Sequence, residues 1–197
     1  MSTDACASPP ADERPPDADS VPVLSVVHVS GTFCLDVPNV TPTLALSLFK
    51  KPTYKPLPCA HDSYTFSLSN GKCILWDNGV FTVCACKTVA DVFKVAEHVA
   101  HMFRDKGLYT DPCRIHVTNI VCVATLPRPL DLCALVDAHP TRVTYDPTSS
   151  YASARVDCPD ASCVLHVFPS GKVNVVGARS IREAEQGFAW AFDHVLT

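Results

Sequence analysis

The chain has 197 residues, 47% of them hydrophobic, with 16 basic against 20 acidic side chains. That is enough apolar material for one domain with a good core, or for two small ones. The net charge of −4 excludes a generally basic nucleic-acid binder, and no apolar run approaches the eighteen residues of a membrane span, so the chain reads as soluble and intracellular.

Residues 1–20 hold Pro9, Pro10, Pro15 and Pro16 with five acids against Arg14 alone. Such a composition cannot offset the entropy of ordering, and it predicts a disordered acidic tail. Without the tail the basic and acidic counts are 15 and 15, so any affinity for phosphates must come from local placement of Lys and Arg. The eleven cysteines are odd in number and sit in apolar strand-like runs such as Val83-Cys84-Ala85-Cys86, which predicts reduced thiols packed as small hydrophobes. No Cys-x-x-Cys pair exists, so neither zinc nor any other cofactor is expected.

From residue 21 the pattern alternates as a strand through Val21 to Ser30, passes Leu35-Asp36-Val37, and becomes helical to about Lys50. Tyr54-Lys-Pro56 follows. Cys59 to Leu68 reads as a strand, Ser69-Asn70-Gly71-Lys72 as a hairpin turn, and Cys73 to Trp76 as the returning strand. Asp77-Asn78-Gly79 turns the chain into a strand from Val80 to Lys87, and an amphipathic helix runs from Thr88 to Lys106. The second half repeats the order: a strand from Ile115 to Ala124, a short helix to about His139, Tyr145-Asp-Pro147, a hairpin near Asp157 to Ala161, a turn at Pro169-Ser170-Gly171, and a helix from Ser180 to Leu196.

The repetition extends to single residues ninety-two positions apart. Trp76-Asp-Asn-Gly-Val-Phe-Thr-Val-Cys-Ala-Cys-Lys87 matches Phe168-Pro-Ser-Gly-Lys-Val-Asn-Val-Val-Gly-Ala-Arg179 in its aromatic, its turn glycine, its alternation and its final cation. Thr88/Asp91 and Ser180/Glu183 then place a hydroxyl and a carboxylate at two helix starts, the second with the residues of a capping box. Two repeats, 21–110 and 111–197, are expected to join edge to edge into one α+β domain. Its long antiparallel sheet would carry four helices on one face and none on the other.

Alternation assigns side chains to those faces. Phe81, Val83 and Ala85, with Val173, Val175 and Gly177, are expected to pack under the helices. Trp76, Thr82, Cys84 and Cys86, with Phe168, Lys172, Asn174 and Val176, would lie on the open face. Two large aromatics at equivalent turns of an uncovered face point to a partner surface.

Asn119-Ile-Val-Cys-Val, Tyr145-Asp-Pro147, Phe168-Pro-Ser-Gly-Lys172 and Val176-Gly-Ala-Arg179 resemble, in kind and order, motifs of the TATA-box-binding protein family. The resemblance covers residues 21–197 and is stronger in the second repeat. It implies a pseudo-symmetric saddle whose concave sheet sits on the minor groove of A·T-rich promoter DNA, with apolar wedges kinking the duplex at each end, a mechanism for which this family is the standard example. By the resemblance, the wedge pairs are Trp76 with Cys59, and Phe168 with Tyr151, seventeen residues earlier; a count forward from Tyr145 falls instead on Ser150, and Tyr151 is the better physical candidate. Cys59 is too small to open a base step.

The groove-reading positions are Asn119 and its mate Ser25, Val121 and Val27, then Ile74, Thr82 and Cys84 in the first repeat and His166, Asn174 and Val176 in the second. Phosphate contacts fall to Lys87, Arg155, Lys172 and Arg179, while Val80 and Thr65 stand where the family has cations. Tyr145, Asp146 and Thr148 lie where the family's turn loops receive general transcription factors IIA and IIB, ahead of the RNA polymerase machinery.

The resemblance therefore implies a non-enzymatic transcription initiation factor, acting in the nucleus or in the transcription compartment of a virus. The unequal retention of motifs points to fast evolution, as in a large DNA virus or a deep-branching eukaryote. The alternative is a scaffold or decoy of the same shape that binds proteins and has lost most of its affinity for DNA. An enzyme has little support, since no nucleophile, base and orienter form a recognisable set.

Overall fold

The computed structural model describes residues 22–36, 44, 47–48, 53–55, 63–76, 78–108, 110–159 and 161–197. Ten strands form one sheet: β1 (Ser25–Leu35), β2 (Thr53–Lys55), β3 (Ser63–Leu68), β4 (Gly71–Trp76), β5 (Phe81–Cys86), β6 (Pro112–Thr125), β7 (Val143–Thr144), β8 (Ala154–Asp157), β9 (Val164–Val167) and β10 (Lys172–Ala178). Their spatial order is β2-β3-β4-β5-β1-β6-β10-β9-β8-β7, and the pairings are antiparallel throughout. The long strands β1 and β6 pair at the centre, each carrying the strands of its own half outward.

The core lies under one face. Val29, Phe33, Cys73, Leu75, Phe81, Val83, Leu165, Val167, Val173 and Val175 are all fully buried there. They pack against α1 (Val89–Arg104), whose buried stripe Val92, Val95, Ala96, Val99, Ala100 and Phe103 follows helical spacing, and against α3 (Ile181–Ala191), which continues into a π-helical turn over Phe192–Leu196. A short α2 (Leu132–Ala138) is capped by Asp131, whose carboxylate accepts from the N–H groups of Cys133 and Ala134. Among the described residues no helix packs on the opposite face.

Four expectations change. The described residues hold three α-helices rather than four, because the helix expected before Lys50 lies outside them except at Leu44, Ser47 and Leu48, which are helical. The elements of the two halves also differ, 11 residues for β1 against 14 for β6, and α1 α-helical throughout where α3 turns π-helical after Ala191, so the described residues do not show the expected repeat symmetry. The tail 1–20, Cys59 and the side chain of Tyr54 lie outside the described residues as well.

The third change is at the helix starts. The reciprocal capping box forms at Thr88 and Asp91, with Thr88 N–H donating to the Asp91 carboxylate at 3.0 Å and Asp91 N–H to the Thr88 hydroxyl at 3.2 Å. At the second start Ser180 does accept from Glu183 N–H, but the longer Glu183 carboxylate reaches past the cap to the N–H groups of Arg179 and Ser162. Those two bonds, that from Arg179 first, hold its carboxyl below the usual carboxylate range and tie the β8–β9 connection to α3.

Fourth, simple alternation fails at the ends of β5 and β10. Ala85, at φ 60°, is exposed while Cys86 is fully buried; Gly177, at φ 91°, is exposed while Ala178 is fully buried. One residue in the left-handed region swings out on each strand, and the following side chain turns into the core. The ladders slip at the same places, between Val29 and Gly31 on β1 opposite β5 and between Val175 and Ala178 on β10.

Candidate nucleic-acid interface

Directly opposed residues of antiparallel strands share a face, so the register lays out the helix-free surface. On the outer strands of the first half Lys72 opposes Cys84, and Thr65 opposes Ile74, which in turn opposes Thr82. In the second half Val176 opposes Val164, and Asn174 lies between Val123 of β6 and His166 of β9, which faces Arg155 of β8. Ser25 is exposed opposite Val123, and Ser30 opposes Asn119.

The two turns hold their aromatics differently. Trp76 and Val80 close one turn, Trp76 N–H donating to Val80 O at 3.0 Å; Phe168 and Lys172 close the other, Phe168 N–H donating to Lys172 O at 2.9 Å. Gly171 at φ 83° is required in the second turn, since a Cβ there would lie 2.6 Å from the carbonyl oxygen of Arg128. In the first half the indole N–H of Trp76 donates to the Thr82 hydroxyl at 2.8 Å, which lays the ring along its own sheet. In the second half Tyr151, 51% exposed, meets Phe168 edge-on with ring centroids 5.4 Å apart, and meets His166 at the same distance. The count of seventeen residues thus brings Tyr151 and Phe168 together.

The polar groups between these ends are oriented by the protein itself. Asn119 Oδ1 accepts from Gly177 N–H at 2.8 Å, which leaves its amide NH₂ to donate elsewhere. Asn174 Oδ1 is buried with no hydrogen-bond partner among the described residues. His166 approaches the buried Ser153 hydroxyl at 3.3 Å; burial first, and the Arg155 charge second, push its pKa down, so the ring is neutral at neutral pH. The expected phosphate ligands Lys87, Arg155, Lys172 and Arg179 are all exposed, and Arg155 is paired with Asp157 at 2.7 Å.

A model of the family described as transcription factor TFIID, or TATA-binding protein, matches residues 114–196. Among solved structures the fold is similar to that of the TATA-binding protein of Methanococcus jannaschii, with a TM-score of 0.75 and 18% identity over 89% of this chain and 99% of that one. Residues 114–196 are thus similar to the TATA-binding-protein family, and the fold of the chain is that of a TATA-binding protein. No curated protein matches the sequence. The family is one of non-enzymatic, DNA-binding transcription factors whose partners are DNA and the transcription machinery.

The loop after β7 is braced from within. Asp146 accepts from both the N–H and the hydroxyl of Thr148, at 2.8 and 2.6 Å, and the hydroxyl bond leads in holding its carboxyl below the usual range. Tyr145 is half-buried against the core and, with Asp146, lines a cavity of about 310 Å³ that also takes in Tyr151, Arg155 and His166. The loop residues Tyr145 and Asp146 therefore share this cavity with Tyr151.

Sequence reasoning missed the centre of the interface. It named Val121 and Val27 as equivalent positions of the two halves and made no mention of His28, which stands opposite Val121, with Ser30 and Thr32 following on the same face of β1. Val26 opposes Cys122 and His28 opposes Val121, so Val27 is the extra residue of a bulge. Lys72 was missed as well, although alternation from Trp76 back through Ile74 would have found it on the helix-free face.

Proposed function

We propose that this protein is a transcription initiation factor whose helix-free sheet binds A·T-rich duplex DNA through the minor groove and bends it. The observation that carries the reading is the edge-on pair of Tyr151 and Phe168 at the end of that sheet, two apolar rings placed to enter a base step together. The Asn119 amide supports it, because an NH₂ whose oxygen is already bonded suits the minor-groove edge of A·T pairs, which offers only acceptors. Lys172, Arg179 and Lys87 supply phosphate contacts at the strand ends. The loop from Tyr145 to Thr148 would receive general transcription factors IIA- and IIB-like in kind, and through them the RNA polymerase machinery, in the nucleus or a viral transcription compartment.

A second reading, a scaffold or decoy that binds proteins and little DNA, is favoured by the first half. There the Trp76 indole is bonded to Thr82, and Val80 stands where Lys172 stands in the second half. Equilibrium binding to A·T-rich and to random duplex across a salt series separates the two. The first reading requires tighter binding to the A·T-rich duplex, with log affinity falling by roughly 0.9 per phosphate contact for each tenfold rise in salt. Equal binding to both duplexes favours the scaffold.

A further inference from the structure

The two central strands hold a pair of side chains that give the interface a second way of reading bases. Because Val27 is bulged out of the ladder, His28 lies opposite Val121. Ile120 and Cys122, on either side of Val121, are buried in the core, so Val121 and His28 face away from the helices. Two residues on, Ser30 lies opposite Asn119, and His28 Nε2 is 2.8 Å from the Ser30 hydroxyl. Asn119 and His28 are thus neighbours at the middle of the sheet, and their hydrogen-bonding freedom differs.

Asn119 is committed, since its oxygen is taken by Gly177 N–H and its NH₂ can only donate. A neutral imidazole carries one donor and one acceptor, and the Ser30 hydroxyl can rotate to serve either. When the hydroxyl donates to Nε2, Nδ1 carries the proton and donates; when Nε2–H donates to the hydroxyl, Nδ1 accepts. Both arrangements keep the same 2.8 Å bond. The one donor that the minor groove presents is the exocyclic 2-amino group of guanine.

We propose that His28, oriented by Ser30, is a base-edge contact at the centre of the sheet, and that it admits a G·C pair at the step it faces, where the Asn119 amide requires A·T. This inference rests on the reading of the helix-free face as a minor-groove interface. Its element of specificity is the choice of tautomer. Ser30 acts as a positioning residue, and Val27 sets the phase that brings His28 to the face.

The test is a scan of an A·T-rich duplex in which each central A·T pair is replaced in turn by G·C and, separately, by inosine·C, which lacks the 2-amino group. The wild-type protein is expected to bind G·C at one central step within about threefold of A·T, and to lose about tenfold or more at the neighbouring steps, in keeping with the usual cost of a mismatched base contact. In His28→Leu the G·C duplex at the tolerant step should lose about tenfold while inosine·C binds as A·T does. Rejection of guanine at every central step by the wild type overturns the inference without recourse to any variant. So does tolerance that persists in His28→Leu. Absence of any preference for the A·T-rich duplex overturns the minor-groove reading and this inference together, an outcome distinct from intact A·T binding with uniform rejection of guanine.

Discussion

The two halves of the sheet use their aromatic residues in opposite ways. In the first half the strand phenylalanines point inward, Trp76 alone among the strand aromatics described above lying on the other face: Phe33 stacks on Phe81 with centroids 4.8 Å apart, Phe103 of α1 meets Phe81 edge-on at 6.4 Å, and Phe66 is buried. In the second half the inward positions are aliphatic, with Val156, Leu165, Val167, Val173 and Val175, while Tyr151 and Phe168 lie at the outer surface. Position 81 holds phenylalanine where position 173 holds valine, and the structure buries both completely. One half spends large rings on cohesion and the other presents them, which is a division of labour along one continuous sheet.

The largest test of that division is in the core. Phe81→Ala removes a ring with stacked and edge-on partners and leaves a cavity, and it is expected to cost about 3–5 kcal/mol in denaturant unfolding. Val173→Ala deletes far less volume and should cost clearly less. Equal losses in the two unfolding curves would show that the first half is no more dependent on its rings than the second.

Binding should show the reverse order. Phe168→Ala leaves the buried core intact, so its melting temperature should stay close to that of the wild type, while affinity for A·T-rich duplex falls by roughly 10- to 100-fold, the equivalent of about 1–3 kcal/mol per stacked ring. Trp76→Ala should cost less affinity, because the indole must first give up its bond to Thr82 before it can insert. An equal or larger loss for Trp76→Ala, read by fluorescence anisotropy, would mean that both ends wedge alike.

This contrast was only partly legible in the sequence. The pairing of Tyr151 with Phe168 followed from a count back from Phe168 together with the choice of an aromatic over Ser150, on which the count forward from Tyr145 falls; β8, β9 and their connection separate the two rings. The register of β1 did not, since the bulge at Val27 leaves no mark on an alternating run in which Val26, Val27 and Val29 are equivalent in type, and one extra residue moves His28 to the face assigned to Val27. Alternation likewise gave Phe81, Val83, Val173 and Val175 correctly and failed at Ala85, whose positive φ is unusual for a residue with a Cβ. The Trp76 bond was hidden for another reason. Alternation put Trp76 and Thr82 on one face but carries no information on whether a ring lies down or stands up.

Charge sharpens the comparison at smaller scale. Lys172 and Val80 occupy equivalent turn positions, so Lys172→Ala should flatten the plot of log affinity against log salt by about 0.9, and Val80→Lys should steepen it by a similar amount. Asp157→Asn acts in the same sense by releasing Arg155, which now pairs with that carboxylate at 2.7 Å. Slopes that ignore Lys172 but respond to Arg155 would move the phosphate track outward from the turn to β8.

The smallest effect lies where the halves meet the same backbone demand with different residues. Ala85 and Gly177 both sit in the left-handed region, at φ 60° and 91°, and both expel themselves from the core so that Cys86 and Ala178 can enter it. Left-handed geometry costs a residue with a Cβ about 1–2 kcal/mol, and glycine returns part of that gain through the greater entropy of its unfolded chain. Ala85→Gly is therefore expected to stabilise the protein by about 0.5–1 kcal/mol. Gly177→Ala should destabilise it by a similar amount through backbone strain, since a Cβ there would approach no atom closer than 3.4 Å. Chemical denaturation of the two variants decides the matter: if Ala85→Gly is destabilising, the exposed methyl of Ala85 contributes more to the first half than its conformation costs.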